Sequence, residues 1–242
     1  MKPRKILIPV PDRDFDVTEV AVPWRLLTDH GHQVVFATEK GGQAAACDPR
    51  LLKGVLFGKL GAKPEAIEFY RQMEKSPEFQ KPISWNSINP SKFYALVLPG
   101  GHAPGMKQYL ASAALQEKVA EFWALGRPVA AICHGVIVLA RAKDVKTGKS
   151  LLASRETTCL PKYMERMAYF LTFWKLGKYY RTYPKYVEDE VRAVLADPET
   201  QFKRGPTTLG GGETFVVEDR NYISARWPGD AHVFAQRLLE KL

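Results

Sequence analysis

One of the three cysteines stands in the setting that a cysteine nucleophile needs. The segment 128–135 reads PVAAICHG, so Cys133 ends a short apolar run that predicts a buried strand, and His134 opens a predicted helix. This pattern resembles a nucleophile elbow, whose small neighbours let the side chain project above the carboxyl edge of a sheet. Because a helix N terminus stabilises a thiolate, the pattern also predicts a lowered thiol pKa. The competing interpretation is a small buried hydrophobe, as free cysteines often are.

Two further elements could complete a site around this thiol. The segment 96–102, LVLPGGH, places Gly100 and Gly101 just after another predicted strand. Their backbone N–H groups are unhindered and, together with the amide of His134, predict an oxyanion hole; the alternative is an ordinary tight turn. Glu19 lies early in the first predicted helix, where an acid is usually an exposed partner of the helix dipole.

The elements that must position these residues alternate between strand and helix. Continuous apolar runs predict strands that are covered on both faces, at 5–10, 33–38, 93–98 and 128–132. Helical spacing of apolar residues predicts helices at 17–30 and 107–126 and from about residue 134. A strand pair at 214–218 and 222–226 and a helix at 228–242 follow. This order predicts an α/β fold with a mainly parallel sheet and helices on both faces.

Two segments interrupt the alternation. Residues 48–90 contain no buried-type strand, and residues 160–205 combine two amphipathic helical patterns with many aromatic residues. We interpret both as insertions, largely helical, onto a single domain that spans 1–242. An aromatic stripe of this kind is more often packing beneath a lid or at a subunit interface than a cofactor site.

Composition excludes several classes of protein. The chain has 242 residues, 45% of them hydrophobic, and no apolar run near the roughly 18 residues that a membrane helix needs, so we expect no membrane partner. The net charge of +9 is scattered rather than clustered, which argues against nucleic-acid binding. Three widely spaced cysteines do not form a disulfide framework, which favours the cytoplasm. No metal triad is evident, and we predict neither a metal nor a cofactor.

Together these motifs resemble the ThiJ/PfpI superfamily, whose flavodoxin-like, doubly wound core is shared with class I glutamine amidotransferases. The resemblance covers nearly the whole chain. It is carried by KILIPVPD at the first strand, Glu19 with Pro23, YALVLPGGH at 94–102, PVAAICHG at 128–135, GKSLLASRETTC at 148–159 and the ending from Tyr222.

The resemblance implies roles for particular residues. Cys133 would be the nucleophile, Glu19 the acid beside its sulfur, and Gly101 with His134 the oxyanion-hole amides, with Gly100 and His102 beside them. In amidase-like and chaperone-like branches, the histidine after the cysteine joins a triad with a later carboxylate. Glu165 is the candidate for that carboxylate here, although the surrounding CLPKYMER lacks the expected acidic cluster.

A thiolate beside a carboxylate is repulsive, so the Cys133–Glu19 pair must retain or share a proton, and Glu19 is expected to stay protonated when the sulfur is charged. The resemblance then implies a cofactor-free cysteine enzyme for small carbonyl compounds such as aldehydes, with glyoxalase-III-like or deglycase-like activity. One alternative is a cysteine amidase or peptidase. Another is a stress chaperone or redox sensor with an oxidisable cysteine and an exposed aromatic surface. Relatives commonly form dimers, so a homodimer is expected.

Overall fold

A seven-stranded sheet lies at the centre of the protein in the computed structural model, which describes residues 2–181, 183–208 and 212–242. The strands are β1 (Lys5–Pro9), β2 (Arg13–Phe15), β3 (Gln33–Thr38), β4 (Ala46–Cys47), β5 (Ile83–Ser84), β6 (Ala95–Leu98), β7 (Val129–Ile132), β8 (Val216–Asp219) and β9 (Tyr222–Ala225). Strands β2 and β4 pair with each other in a separate two-stranded sheet, and the other strands form the main sheet. The helices are α1 (Val17–Asp29), α2 (Pro49–Lys53), α3 (Pro64–Glu74), α4 (Pro77–Gln80), α5 (Met106–Ala111), α6 (Ala113–Ala124), α7 (Val136–Arg141), α8 (Lys162–Leu176), α9 (Val187–Arg192), α10 (Pro198–Gln201) and α11 (Ala231–Glu240). Short 3-10 helices cover Trp85–Ser87, Pro90–Lys92, Cys133–Gly135 and Pro228–Asp230.

The strand order explains why distant motifs meet. The sheet runs β5-β3-β1-β6-β7-β9-β8, and every neighbouring pair is parallel except β8 with β9. Because β6 and β7 are parallel neighbours, with Leu98 opposite Ala131, their carboxyl ends lie side by side. The strand order reverses at β1, and ligands of such sheets bind near that point. This topology confirms the predicted flavodoxin-like, doubly wound α/β fold.

Apolar strands form the core of the protein. All four residues of β6 and all four of β7 are buried, which requires cover on both faces of the sheet. Helix α1 packs against α3 and α11, and α6 packs against α7. Full burial of a Leu or Ile side chain contributes about 1.5–3 kcal/mol, so these short strands supply much of the driving force for folding.

The helix predicted at 107–126 is in fact two helices. Helix α5 ends at Ala111, and Ser112 begins α6 by accepting a hydrogen bond from the backbone N–H of Leu115. Serine at this position satisfies an N–H group that a new helix would otherwise leave unpaired. The predicted helical stretch is therefore present, and a capping residue divides it into two helices.

The two segments set apart in the sequence contribute differently to the fold. Residues 48–90 hold α2, α3, α4 and β5, and β5 pairs with β3 at the edge of the main sheet. Phe79 and Trp85 of this segment are buried in the core. Residues 160–205 hold α8, α9 and α10. The division into one domain with two insertions stays a prediction.

A buried ion pair closes the carboxyl-terminal part of the fold. Arg226 and Asp230 are both fully buried, and the guanidinium donates to the two carboxylate oxygens at 3.0 and 3.1 Å. Asp230 also accepts from the backbone N–H of Phe215, and Arg226 donates to the carbonyls of Pro206 and Glu213. The pair therefore connects the start of α11 to the chain that precedes β8.

Replacement of Asp230 by Ala should lower the free energy of unfolding by about 3–5 kcal/mol, because it leaves a buried guanidinium without its counter-charge. Urea denaturation measures this loss. Glu240→Ala is the matched control, since it breaks an exposed ion pair with Arg237 and should cost no more than about 1 kcal/mol. Equal losses in the two variants would contradict the structural role assigned to the buried pair.

Candidate functional site

Cys133 begins the strained turn that joins β7 to α7. Its backbone φ is 57°, in the left-handed region, which costs a residue with a Cβ about 1–2 kcal/mol. Two residues later, a Cβ on Gly135 would overlap the carbonyl oxygen of Leu98 at the end of β6. Only glycine fits this position, and its fit lets the turn lie directly against β6. Strain of this kind clusters at functional sites, where the surrounding structure maintains it.

Glu19 is held beside this turn by hydrogen bonds from both directions. Asp16 caps α1, accepting from the backbone N–H groups of Thr18 and Glu19 at 2.8 and 3.1 Å. The backbone N–H of Gly100 donates to Glu19 Oε2 at 2.8 Å, and the backbone N–H of Asp16 donates to the Gly100 carbonyl at 2.9 Å. Glu19 is fully buried, so it is not the exposed dipole partner that its position alone favours.

The Gly100 peptide fills the space between α1 and the cysteine turn. A Cβ at Gly100 would lie 2.6 Å from the backbone nitrogen of His134 and 2.9 Å from Glu19 Oε2. Because the N–H of Gly100 already binds Glu19, this amide positions the carboxyl and is not available to an oxyanion. The oxyanion hole stays a prediction for the amides of Gly101 and His134.

Three rings extend outward from the sulfur. His134 Nδ1 lies 3.5 Å from Cys133 Sγ, and the His134 and His102 rings meet edge to face with centroids 4.8 Å apart. The His102 ring in turn meets Tyr180 at 5.9 Å and 90°. The hydroxyls of Tyr179 and Tyr180 donate to the buried Asp48 carboxylate at 3.2 and 3.0 Å.

Together, His102 and Tyr180 form a cover near the sulfur, and the cysteine side chain is fully buried. Two surface cavities lie elsewhere. One of 460 Å³ is lined by residues from Asp12 to Gln108, and one of 700 Å³ extends between Trp123 and Ala196. Neither is lined by Cys133, whose side chain is fully buried.

Glu165 takes part in a different interaction from the one predicted. Its Oε1 accepts from the Arg181 guanidinium at 2.9 Å, and its Oε2 accepts from the backbone N–H of Val187 at 3.0 Å. No hydrogen bond joins Glu165 to His134 in the described ranges. The buried carboxylate thus connects α8 to Arg181 and to the start of α9, and the structure does not bring it together with His134.

Burial dominates the electrostatics of the Cys133–Glu19 pair. It raises the pKa of Glu19 well above its ordinary value, and the nearby Asp16 carboxylate raises it further. Burial, and then the charges of Glu19 and Asp16, raise the pKa of the Cys133 thiol, against the opposing effect of the His134 backbone N–H. The predicted lowering of the thiol pKa is therefore wrong for this enclosed arrangement. The pair holds at least one proton at neutral pH.

One Glu19 oxygen is available for proton transfer. Oε1 is buried and has no conventional hydrogen-bond partner among the described residues, while the Cys133 thiol lies close enough to interact with the carboxyl. A protonated carboxyl here can donate to sulfur or to a substrate oxygen and can recover the proton later. This is the arrangement expected of a general acid and base.

The two histidines are neutral at pH 7. Burial lowers the pKa of His102 to about 4, and burial followed by the charges of His102, Arg141 and Arg181 lowers that of His134. Neutral imidazoles can accept the thiol proton or bind a metal. Nitrogen and sulfur atoms of His102, Cys133 and His134 lie within 4.8 Å of one another, close enough to hold a soft metal ion. The expectation of no metal and no cofactor stays a prediction.

Sequence reasoning missed Asp16 and Tyr180. Asp16 stands directly before Val17, which is the sequence signal of a helix N-cap, and burial raises its pKa to about 6. That signal was available. Tyr180 gave no local signal, because its position over His102 depends on how the segment after α8 docks.

Comparison with known proteins identifies relatives across most of the chain. The family model described as ThiJ/PfpI family-like matches residues 10–206. An uncharacterized protein of Schizosaccharomyces pombe is 30% identical over 97% of this chain and 82% of its own length. A deglycase of Pyrococcus abyssi is 25% identical over 94% of this chain and 93% of its own length. The crystal structure of glyoxalase III from Candida albicans superposes with a TM-score of 0.72 at 18% identity, covering 99% and 97% of the two chains, and thus shares the fold.

Replacement of Glu19 by Gln should simplify the titration of the thiol. In the unmodified protein, two coupled groups lose protons in two steps, so the rate of Cys133 alkylation should rise with pH in two steps. In Glu19→Gln it should rise in one. Iodoacetamide kinetics followed by mass spectrometry measure both profiles, with the half-exposed Glu218→Gln as control. A two-step profile that survives in Glu19→Gln would show that the carboxyl does not titrate with the thiol.

Replacement of Glu165 by Gln should affect stability but not the thiol. Loss of the charge-assisted hydrogen bond to Arg181 should lower the free energy of unfolding by about 2 kcal/mol. The pH profile of Cys133 alkylation should be unchanged. Glu199→Gln, which removes an exposed partner of Arg192, serves as control. A changed alkylation profile at unchanged stability would instead assign Glu165 to a triad with His134.

Proposed function

Because this chain belongs to the ThiJ/PfpI-like family, we propose that it is a cofactor-free, cysteine-dependent enzyme acting on small carbonyl compounds, with glyoxalase-III-like or deglycase-like activity. One observation carries the proposal: the strained turn holds Cys133 beside a buried carboxyl whose pKa is raised. The deglycase relatives and the fold shared with a glyoxalase III support the same class of chemistry.

The first step is addition of sulfur to an aldehyde carbon. The neutral imidazole of His134, 3.5 Å from the sulfur, receives the thiol proton as the carbon–sulfur bond forms. Protonated Glu19 gives its proton to the carbonyl oxygen, which the amides of Gly101 and His134 are proposed to orient. The product is a neutral hemithioacetal on Cys133.

For a 2-oxoaldehyde, an internal transfer completes the reaction. The Glu19 carboxylate removes the proton from the carbon that is bonded to sulfur, and the imidazolium of His134 protonates the neighbouring carbonyl oxygen, which gives an enediol. Glu19 then returns its proton to the neighbouring carbon, while the hydroxyl on the sulfur-bonded carbon gives its proton to His134 and becomes the thioester carbonyl. The result is a 2-hydroxyacyl thioester. Water then adds to the thioester as Glu19 takes one of its protons, the carbon–sulfur bond breaks to release the hydroxy acid, and His134 returns its proton to the sulfur, which restores the thiol. One carbon is oxidised and its neighbour is reduced, so no external oxidant or reductant is required.

The same addition serves a deglycase. When an aldehyde has condensed with an amine or thiol as a hemiaminal or hemithioacetal, release of that amine or thiol regenerates the carbonyl carbon that Cys133 attacks. The remaining steps are unchanged. The cover formed by His102 and Tyr180 must move to admit either substrate, because the sulfur is fully buried. Enclosure of this kind favours small substrates.

A stress chaperone or redox sensor is the second candidate, and one observation favours it. Trp174 is 59% exposed, so the aromatic surface that a holdase would use is present. Hydrolysis of an amide or peptide through a thioester on Cys133 is a further alternative that uses the same nucleophile. A homodimer and a cytoplasmic location stay predictions.

Replacement of Cys133 by Ser should lower the rate of methylglyoxal loss at least about a thousandfold, because the attacking atom is gone. Lactate formation and methylglyoxal loss, measured together, report this rate. Cys159→Ala is the matched control, since Cys159 is equally buried and lies outside the proposed site. It should retain activity within about threefold of the unmodified rate.

The same variants separate the candidates. A Cys133→Ser protein that still suppresses aggregation of an unfolded client, while the unmodified protein consumes no methylglyoxal or glycated substrate, would favour the holdase. Loss of peptidase activity alone in Cys133→Ser would favour the hydrolase.

A further inference from the structure

A cluster of large apolar side chains lies on the outer surface, away from Cys133. We call it the aromatic face, and its exposed fractions range from 48% to 80%. It consists of Phe57, Leu60, Phe170, Leu171, Phe173 and Trp174. The rings of Phe57 and Trp174 stack with centroids 6.2 Å apart and 25° between planes, so the two segments form one surface. An exposed apolar cluster of this size on a folded protein marks an interaction site.

The turn that carries Phe57 holds this side chain outward. Leu56 and Lys59 exchange both of their backbone hydrogen bonds, at 3.2 and 2.7 Å, which closes a tight turn with Phe57 near its tip. Phe57 and Leu60 have φ values of 49° and 60°, each costing about 1–2 kcal/mol for a side chain larger than glycine. The turn therefore maintains strain while exposing apolar side chains, which folding alone does not require.

Helix α8 also exposes apolar side chains. Of its 15 residues only Met164, Glu165 and Thr172 are buried. Residues 170, 171 and 174 follow helical spacing along the exposed side. A helix this apolar is normally packed against a core, so its exposed side indicates a further contact.

The charges on the two segments that carry the aromatic face are mainly positive. Residues 49–63 contain four cations, Arg50, Lys53, Lys59 and Lys63, and no acid. The one acid of α8, Glu165, is buried against Arg181.

Two cations lie directly against the rings of the face. The Lys175 ammonium is 5.0 Å from the Phe57 ring, and the Arg166 guanidinium is 5.8 Å from the Phe170 ring. Lysine and arginine can lie over an aromatic surface while their charges reach a polar boundary. A partner that is apolar beneath an anionic surface would match both features.

We propose that the aromatic face binds the surface of an anionic lipid bilayer. The aromatic and leucine side chains would enter the interfacial region, α8 would lie parallel to the membrane plane, and the surrounding lysines would contact acidic headgroups. Within the part of the chain that the structure describes, no helix is long and apolar enough to span a bilayer. The proposal revises the sequence-based expectation of no membrane partner and is independent of the proposed enzymatic function.

A second copy of the chain fits the aromatic face less well. In a symmetric dimer the same patch meets itself, so one cationic patch, with Lys59 and Lys175, would face another. Like charges at an interface oppose binding. Charge complementarity therefore favours lipid over self-association.

Flotation of the full chain with vesicles tests the proposal. Vesicles of phosphatidylcholine with about 30% phosphatidylserine should bind at least about tenfold more protein than phosphatidylcholine alone, and added salt should weaken the binding. Lys59→Glu and Lys175→Glu should each weaken binding about fivefold or more. The double variant Phe57→Ser with Trp174→Ser should abolish it.

Val145→Ser and Lys146→Glu are the matched controls, because both residues are exposed and lie outside the aromatic face. They should bind vesicles like the unmodified protein. Unchanged alkylation of Cys133 in all variants verifies that they are folded. Equal binding to charged and uncharged vesicles, or equal loss in the controls, would overturn the proposal.

Two other outcomes would also overturn it. Absence of vesicle binding, combined with a dimer that the Phe57→Ser, Trp174→Ser variant converts to a monomer, would show that a second copy covers the face. Absence of vesicle binding, combined with loss of client protection in the same variant, would assign the face to a holdase.

Discussion

A carboxyl group buried against a thiol is difficult to accommodate, and much of the local structure serves to maintain it. Glu19 stays in place because the Gly100 N–H binds one of its oxygens and because Asp16 caps the helix that carries it. Glycine is required at position 100, since a side chain there would collide with the His134 amide. The strained backbone of Cys133 then brings the sulfur to the carboxyl. The burial that raises both pKa values is thus the source of the coupled proton chemistry.

The parts of this arrangement that sequence could predict are those set by local pattern. The runs that became β1, β6 and β7 are apolar at consecutive positions, so they indicated a parallel sheet with two covered faces. The motif at Cys133 then located the site at the carboxyl edge of the sheet. The pKa shifts and ion-pair partners that depend on tertiary packing could not be predicted from the sequence. The predicted direction of the thiol pKa shift was wrong because the effect of burial outweighs that of the helix N terminus. Glu165 pairs with Arg181 because of the way α8 and α9 dock.

The aromatic-rich segment 160–205 has two distinct surfaces. Its inner side chains, including Tyr180, contact the rings that lead to the sulfur, while its outer side chains, including Trp174, are exposed. One aromatic-rich stretch therefore both covers Cys133 and carries exposed side chains of the aromatic face. Periodicity could identify the stretch as amphipathic, but it could not assign which aromatic residues face inward, since residues 177–181 and 183–186 are not helical.

The hydrogen bonds at Asp48 have a mechanical consequence. Asp48 directly precedes α2, which leads into the turn that bears Phe57, and Tyr179 and Tyr180 directly follow the chain leaving α8. One carboxylate is therefore the joint between the two outer segments and the ring that lies over His102. Phe57 and Trp174 are each connected to this carboxylate by a short stretch of chain, so a contact made at either side chain acts close to Asp48. The hydrogen bonds to Asp48 thus couple the position of Tyr180, over His102, to both outer segments.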